Sequence, residues 1–395
     1  MNATSATDPA PQVVITGVGA WTPHGVGWPA LWTGLLEGRH AFEPVGDDFG
    51  PDPRLLAGRI RDLQPFRDAF PSVKPPLPIS VTRMAMVAAQ QALAGLDPAL
   101  RSNYGVMLNR SRGPARVVAD IMKPVLAGGP RKTSPLLFSQ SVANAPLGAI
   151  ATAFGLRGPH LLTLGGGAIM VAFDAIRRGD APGIVVGGFE EHAPEVFEAD
   201  LANGVMPAIH DESEIATRGP LLSEGAICLM LESEQVARAR GAQPLARLLA
   251  VERSSGRASG DEDPLRLWGR PDPAEFARSC ARALERAGRS SAAIDFHAGG
   301  SANIPAFERA ESSMRAELGL ACPRGSIKAL LGEGLGMGAI ANLAWASAMI
   351  AARQLACATI DAGVGSRPLP DSASILVTHF DAHANQCAMV LSSPD

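Results

Sequence analysis

The chain has 395 residues, a formal net charge of −4 and five scattered cysteines. This length accommodates two domains or one large layered domain with a buried core. Charges of both signs are interspersed without a basic stripe, so nucleic-acid binding has no electrostatic support. The cysteines never stand in CxxC spacing, which argues against a disulfide framework or a zinc site. We therefore expect a cytoplasmic protein without a bound metal.

Two segments could be mistaken for targeting or membrane sequences. Residues 1–12 are rich in Ala, Thr and Pro and lack a basic or apolar stretch, so we predict a flexible tail rather than a signal peptide. The uncharged run 334–352 is long enough to cross a bilayer. It is rich in alanine and contains Asn342 and Ser347. We predict a helix packed inside the protein and no integral membrane segment.

Apolar runs separated by glycine and proline predict alternating strands and helices. The order predicts an α/β protein with largely parallel sheets. Residues 38–78, 190–220 and 253–273 lack periodicity and are expected to be loops. Strands are predicted at 13–20, 104–108, 159–164, 183–188, 227–231, 246–252 and 293–297. Helices are predicted at 30–36, 84–96, 141–150, 168–178, 234–240, 274–288 and 307–318.

The first predicted strand ends in glycines, as a dinucleotide-binding strand would. Gly17 and Gly19 stand alone, because the third glycine and the later acidic residue of that fingerprint are not in register. We therefore expect no cofactor. A similar strand followed by glycines recurs at 294–300, which indicates a duplicated α/β unit.

A run of three glycines follows the apolar segment 158–164 and precedes a helix of small residues. A strand, a tight turn and a helix N-terminus aim backbone N–H groups and a helix dipole at one point, which suits a thiolate or an oxyanion. No cysteine precedes Cys228 in the chain. Three glycines alone are more often a flexible turn. With these flanks, we predict a nucleophile site that lacks its nucleophile.

Short motifs in a fixed order run from about residue 13 to residue 391. They are Val13-Val14-Ile15-Thr16-Gly17-Val18-Gly19, Leu31-Trp32, Gly158-Pro159, Gly187-Gly188, Ser223-Glu224-Gly225-Ala226, Arg240-Gly241-Ala242, His297 and Lys328. In this order they resemble the β-ketoacyl-acyl-carrier-protein synthases of the thiolase superfamily. The resemblance implies a thiolase-like five-layered αβαβα sandwich of two similar halves, which we place at 13–245 and 246–395. It also implies a dimer that receives acyl chains from acyl carrier protein.

The resembling family uses a cysteine nucleophile, two histidines and a backbone oxyanion hole for condensation. Counted from Gly158-Pro159, the cysteine position falls on Gly167. The first histidine motif is matched at His297, which is as consistent with a hydrogen-bonded remnant as with a catalyst. The resemblance therefore extends to a site whose nucleophile is missing.

The remaining site motifs are altered as well. Lys328 matches the lysine of the second histidine motif, and we expect it to form an ion pair with Glu311 or Glu333. Glu333 stands where that motif has its histidine. Of the last, glycine-rich loop only Phe380 is kept, and residues 381–384 replace its glycines. The glycines of such a loop adopt positive φ angles, which Asp and His rarely adopt. We therefore expect a damaged oxyanion hole.

Three functions are compatible with this pattern. The first is a non-catalytic subunit, similar to a chain-length factor, that pairs with a cysteine-bearing ketosynthase in type II polyketide, aryl-polyene or fatty-acid-like elongation. Chain-length factors of the aromatic polyketide type usually carry Gln at the cysteine position, and this chain does not. The second is an altered acyltransferase or hydrolase that uses His297 and Glu333 as an acid/base pair on acyl thioesters. The third is a homodimeric scaffold without an acyl ligand.

The resemblance also predicts the partners and where they bind. We expect a heterodimer with a ketosynthase, or otherwise a homodimer, formed through the apolar strand at 159–164. Left uncovered, that strand would be an aggregating edge. Residues 110–138 should then lie near the shared pocket, and acyl carrier protein is the second expected partner.

Overall fold

A computed structural model describes residues 10–47, 49, 52–74, 77–214, 219–256, 268–356, 358–359, 363–364, 367–381 and 385–394. The predicted flexible tail lies outside these residues except for positions 10–12. Much of the loop predicted at 253–273 and positions 382–384 of the last loop also lie outside them.

The first half of the chain has eight strands, five of which follow one another in the main sheet, with helices on both faces. Its strands are β1 (Val13–Thr22), β2 (Gly25–Val26), β3 (Glu43–Pro44), β4 (Leu56–Ala57), β5 (Gly105–Arg110), β6 (His160–Leu164), β7 (Gly183–Glu190) and β8 (Gly225–Ser233). Its helices are α1 (Trp28–Leu36), α2 (Gln64–Ala69), α3 (Ser80–Ala92), α4 (Ala115–Gly128), α5 (Pro135–Ser139), α6 (Ala145–Phe154), α7 (Gly167–Arg178), α8 (Pro194–Ala202) and α9 (Glu234–Ala239).

The second half repeats this plan. Its strands are β9 (Ala246–Ser255), β10 (Phe296–Ala298), β11 (Arg324–Gly325), β12 (Gln354–Leu355), β13 (Ala358–Thr359), β14 (Gly363–Val364), β15 (Arg367–Pro368), β16 (Ser374–Phe380) and β17 (Asn385–Ser392). Its helices are α10 (Pro273–Arg286), α11 (Pro305–Leu318), α12 (Lys328–Leu331) and α13 (Gly338–Ala352).

The strand order shows the duplication. The first half runs β6-β5-β7-β8-β1 and the second runs β11-β10-β16-β17-β9. In both, the first two pairings are parallel and the last two are antiparallel. The predicted α/β fold of two similar halves is confirmed. The expectation of largely parallel sheets was wrong, because half of these pairings are antiparallel.

The pairing order shows which strands of the two halves are equivalent, and these are not the two strands that share the strand-plus-glycine pattern. β9 occupies the place of β1, whereas β10 occupies the place of β5. The strand at 294–300 is therefore not the equivalent of the first strand, although the duplication that its pattern indicates is present. A strand followed by glycines is a local pattern, and only the pairing order identifies equivalent strands.

The two halves stack into layers around two central helices. α7 contacts β5 and β7 of its own half and β9 of the other, and α13 contacts β16 of its own half and β7 and β8 of the other. The central core therefore buries apolar residues of both helices, such as Ile169 and Trp345. α3 and α6 cover one outer face, and α10 and α11 cover the other. This is the αβαβα arrangement.

α13 contains the apolar run that could have been read as a membrane span. The stretch Leu335–Ala352 passes a length and composition test for crossing a bilayer, yet 89% of it is buried inside the fold. Its Trp345 Nε1 donates to the carbonyl of Ala356 at 2.8 Å. These contacts agree with the predicted core helix.

The outer edges of the two sheets differ. β6 is the last strand of the first-half sheet, and in the described residues it pairs only with β5. Its counterpart β11 pairs on its outer side with β13, which forms a hairpin with β14. Among the described strands, the first-half sheet therefore ends at β6, whereas the second-half sheet continues past β11 into this hairpin.

Candidate active site

The glycine turn joins β6 to α7. The Gly165 N–H donates to the carbonyl of Arg110 at 3.2 Å, and Gly165 has a φ of 69°, in the left-handed region that glycine favours. One turn later the Ala168 N–H donates to Asn109 Oδ1 at 2.9 Å. The turn is buried and held by β5 at both ends. It is a fixed element and not a flexible linker.

A carboxylate of the chain itself occupies this turn. Asp381 is 1% exposed, and its Oδ2 accepts a hydrogen bond from the Gly166 N–H at 3.2 Å. Both of its oxygens also accept from Asn385 Nδ2, at 3.0 and 2.8 Å. A Cβ at Gly165 would lie 1.7 Å from Asp381 Oδ2, so only glycine fits there. The N–H group that could stabilise a reacting oxyanion already donates to a side-chain oxygen of the chain itself.

The next two glycines face different surroundings. A Cβ at Gly166 would lie 3.4 Å from Ala339 Cβ and 3.7 Å from His379 Cδ2. A Cβ at Gly167 would instead lie 3.3 Å from Arg253 Nη1. The count from Gly158-Pro159 indicates Gly167 as the nucleophile position, but Gly166 is the position that faces the buried histidine. Neither glycine offers a nucleophile.

Two other groups beside the turn could have replaced the missing nucleophile. Cys387 Sγ would lie 3.2 Å from a Cβ at Gly166, but burial and the nearby Asp381 raise its pKa to about 12. It is therefore a thiol at neutral pH. Thr163 Oγ1 donates to Asn109 Oδ1 at 2.8 Å. This acceptor is an amide oxygen, which is not a base that could remove the hydroxyl proton. Neither group is activated.

A buried ion pair lies close to the turn. Lys328 Nζ is 2.6 Å from Glu333 Oε2 and 2.8 Å from the carbonyl oxygen of Gly300. Glu333 Oε1 accepts from the Leu335 N–H at 2.7 Å. Burial raises the pKa of Glu333, and Lys328 opposes that shift. Of the two acidic partners considered for Lys328, the structure places Glu333 at hydrogen-bonding distance.

His379 completes this cluster, and the sequence analysis did not single it out. A Cβ at Gly338 would lie 2.8 Å from His379 Cε1 and 3.0 Å from Glu333 Oε1, so the ring and the carboxylate flank the same glycine. Neither ring nitrogen has a hydrogen-bond partner among the described residues. Burial, followed by Lys328, lowers the pKa of His379 well below its usual value. The imidazole is neutral.

His297 and Phe380 lie on the other face of the same sheet. His297 pairs in register with Leu376, and its Nε2 is 2.8 Å from Thr378 Oγ1. Phe380 packs between Phe276 and Phe307, with ring centroids 4.6 Å apart in both contacts. Side chains two residues apart on a strand share a face, so positions 376, 378 and 380 point to α10 and α11 while His379 points to α13. The structure does not bring His297 or Phe380 to the glycine turn.

The alternation of strand side chains was the signal that could have found His379. β16 and β17 were not predicted as strands, so the facing of residues 374–380 was not considered. Asp381 follows the last residue of β16 and reaches the turn from there. Among the described residues no group of three or more His, Cys, Asp or Glu side chains is arranged to hold a metal ion. The cluster is thus an ion pair, a neutral histidine and a carboxylate bound to the turn.

Comparison with known proteins places this geometry in a family. Residues 10–237 match the family described as "Beta-ketoacyl synthase, N-terminal domain". The 3-oxoacyl-[acyl-carrier-protein] synthase 2 of Staphylococcus aureus (strain COL) is 27% identical over 255 residues, which cover 60% of this chain and 61% of that protein. The protein of the same name from Synechocystis sp. is 27% identical over 252 residues, covering 59% and 60%. The match therefore spans about three-fifths of the length of these relatives.

Solved structures share the whole architecture. The ishigamide ketosynthase/chain length factor superposes with a TM-score of 0.81 at 20% identity, covering 98% of this chain and all of that chain. A beta-ketoacyl synthase from Burkholderia phymatum STM815 gives a TM-score of 0.81 at 22% identity, with the same coverage. At these identities the likeness shows the fold, which is the thiolase-like sandwich of two similar halves.

Proposed function

The chain belongs to the β-ketoacyl synthase family, and we propose that it is a non-catalytic subunit that pairs with a cysteine-bearing ketosynthase. The observation that carries this proposal is the contact between Asp381 and the Gly166 N–H. A condensing enzyme needs this kind of backbone donor for the oxygen that becomes negative during the reaction. Here the donor holds a buried carboxylate, and the adjacent residues are glycines.

The alternative of an altered acyltransferase or hydrolase has less support. It requires His297 and Glu333 to act together on a thioester. His297 lies with Thr378 and, at 4.0 Å, Glu311 on the α10/α11 face. Glu333 is bound to Lys328 on the α13 face. A general base must reach the proton it removes, and these two groups do not converge on one point.

An open strand at the edge of the first-half sheet and exposed apolar side chains on two helices support a pairing role. β6 is an open sheet edge, and Leu164 at its end is 57% exposed. Leu126 of α4 and Phe138 of α5 are 81% and 63% exposed. An open edge together with exposed apolar side chains is typical of a surface that another chain covers. We propose that a ketosynthase pairs here and that acyl carrier protein serves the resulting complex.

The test is co-expression with candidate ketosynthases and acyl carrier protein, followed by intact mass measurement of the purified complex. We expect a one-to-one heterodimer. After incubation with acyl-carrier-protein thioester, the acyl group should be on the ketosynthase, and peptides covering 158–179 of this chain should carry none. The matched control is Leu126→Glu, which puts a charge on the proposed surface and should abolish pairing without unfolding the chain.

Two outcomes would contradict the proposal. One is a stable monomer with no affinity for any ketosynthase tested. The other is a stoichiometric acyl adduct on this chain, which would show that a nucleophile operates despite the filled turn.

A further inference from the structure

A cavity is lined by residues other than the glycines of the turn. It has a volume of about 370 Å³ and lies between the segment after β4, the N-terminus of α3 and the first turns of α4. Cavities of this size hold small-molecule ligands. The pairing proposal assigns no ligand to it.

Arginines line this cavity from three separate segments. Arg59 and Arg61 come from the segment after β4, Arg83 from α3 and Arg116 from α4. Four guanidinium groups around one cavity repel each other unless anions lie between them. Convergence of this kind is typical of sites that bind carboxylate or phosphate groups.

Arg83 is a partly buried cation at this cavity. It is half-buried, and its Nε donates to the carbonyl of Pro78 at 2.5 Å. Within the described residues it has no salt bridge. Burial, with the nearby Arg67, lowers the pKa of Arg83. The fold therefore holds a partly desolvated cation beside open space.

The two buried acids on the floor of the cavity bind other donors. Glu191 Oε2 accepts from Ser80 Oγ at 2.5 Å. Glu224 accepts from the backbone N–H groups of Ile60 at 2.6 Å and His192 at 3.2 Å. Burial raises the pKa of Glu224, which favours its neutral form. The third acid, Asp120, is exposed on α4.

We propose that this cavity binds a small amphiphilic anion whose carboxylate or phosphate group pairs with Arg83. The apolar part of such a ligand would lie against Leu63 and Ile79, which line the same cavity and are only partly buried. Arg116, which is exposed at the mouth, would contribute the second positive charge. The residues that line this cavity do not include the glycines of the turn, so titration of the isolated chain tests the site without a pairing partner.

The experiment is isothermal titration of the full chain with phenyl phosphate, phenylacetate and inorganic phosphate at one fixed ionic strength. At least one aromatic anion should bind saturably with a Kd below about 1 mM, and inorganic phosphate should bind more weakly than phenyl phosphate. Arg83→Gln should weaken binding about tenfold, Arg83→Lys less, and the exposed variant Arg116→Gln about threefold. The matched control Arg178→Gln removes an exposed charge from the end of α7 and should leave the affinity unchanged.

Several results would overturn the proposal. One is the absence of saturable binding of either aromatic anion. Equal binding by wild type, Arg83→Gln and Arg116→Gln would show that the arginines are not the site. If inorganic phosphate bound as tightly as phenyl phosphate, the apolar group would add nothing to the affinity, and the ligand would not be amphiphilic as proposed.

Discussion

The two faces of β16 have the same backbone and different chemistry. On the α10/α11 face, His297, Thr378 and Glu311 form a chain of short hydrogen bonds, with 2.8 Å from His297 Nε2 to Thr378 Oγ1 and 2.5 Å from that hydroxyl to Glu311 Oε1. On the α13 face, His379 has no such bond among the described residues, and its neighbours are the Lys328–Glu333 pair. On the first face the histidine is hydrogen-bonded within a structural network. On the second face a histidine ring without a hydrogen bond among the described residues lies beside an ion pair.

The position of a histidine in a motif therefore does not establish its role. The residues that follow His297 in sequence make it resemble the first histidine of the family. His379 stands in a segment that matches the family poorly, yet its ring lies within reach of Gly166 and Glu333. The face of the strand decides which histidine reaches the site.

The largest expected effect compares the energetics of the two faces. Lys328→Met leaves Glu333 buried without its cation and should lower the free energy of unfolding by about 3 kcal/mol. Thr378→Val on the opposite face removes the hydrogen bonds of the Thr378 hydroxyl to His297 and Glu311. It should lower the free energy of unfolding by about 1.5 kcal/mol. Urea unfolding at pH 7 measures both.

The double variant Lys328→Met, Glu333→Leu is the control. Because it removes both charges, it should recover part of the loss of Lys328→Met. If Lys328→Met costs no more than Thr378→Val, the contrast between the faces is wrong.

A second test concerns the glycine turn that faces α13. Gly165→Ala places a Cβ into Asp381 and forces a positive φ on alanine, so it should lower the free energy of unfolding by about 3 kcal/mol. Gly179→Ala, at the end of the same helix, has a φ of 78° and open space around its Cβ, so it should cost about 1 kcal/mol. Equal losses in the two variants would show that Asp381 does not press against the turn.

The smallest expected effect is in the pH dependence of stability. The folded pKa of His379 is lowered, whereas its unfolded value stays near 6.5. Between pH 6.5 and 5.5 the unfolded chain therefore binds more protons at this residue, and stability falls as pH falls by up to about 1.4 kcal/mol per unit. His379→Gln should remove this part of the slope.

His24 and His192 act in the same direction, because burial lowers their pKa values to about 4 and about 3. Both remain in the variant, so the difference between wild type and His379→Gln isolates His379. Unfolding free energies measured from pH 7.5 to 5 give this difference. Parallel curves for the two proteins would mean that His379 is already protonated or is solvated in the fold.

Much of the fold was predictable because it depends on strong local signals. Apolar strands such as β1 and β7 and the small-residue helix α13 were recognisable from composition and period alone. The strand directions were not, since pairing joins residues far apart in sequence. β16 and β17 were missed, and with them the facing of His379.

The sequence predicts which catalytic residues are missing from the candidate site, but not which residues contact each other there. The absence of a nucleophile at the glycines and the glutamate at position 333 can be read directly from the chain. The contact of Asp381 with Gly166 joins residues 215 positions apart, and no spacing rule indicates it. Loss of glycines from the last loop predicted a damaged oxyanion hole. That prediction stays untested, and the structure adds the hydrogen bond from the Gly166 N–H to Asp381.

The two outer edges have a consequence for how another chain could extend the sheet. A strand added to the second half would meet the hairpin of β13 and β14, which separates it from β11. A strand added to the first half would pair directly with β6, the strand that leads into the glycine turn. Pairing at β6 would therefore put the added chain next to the turn, whereas pairing at the hairpin would leave it at a distance from the equivalent strand of the second half.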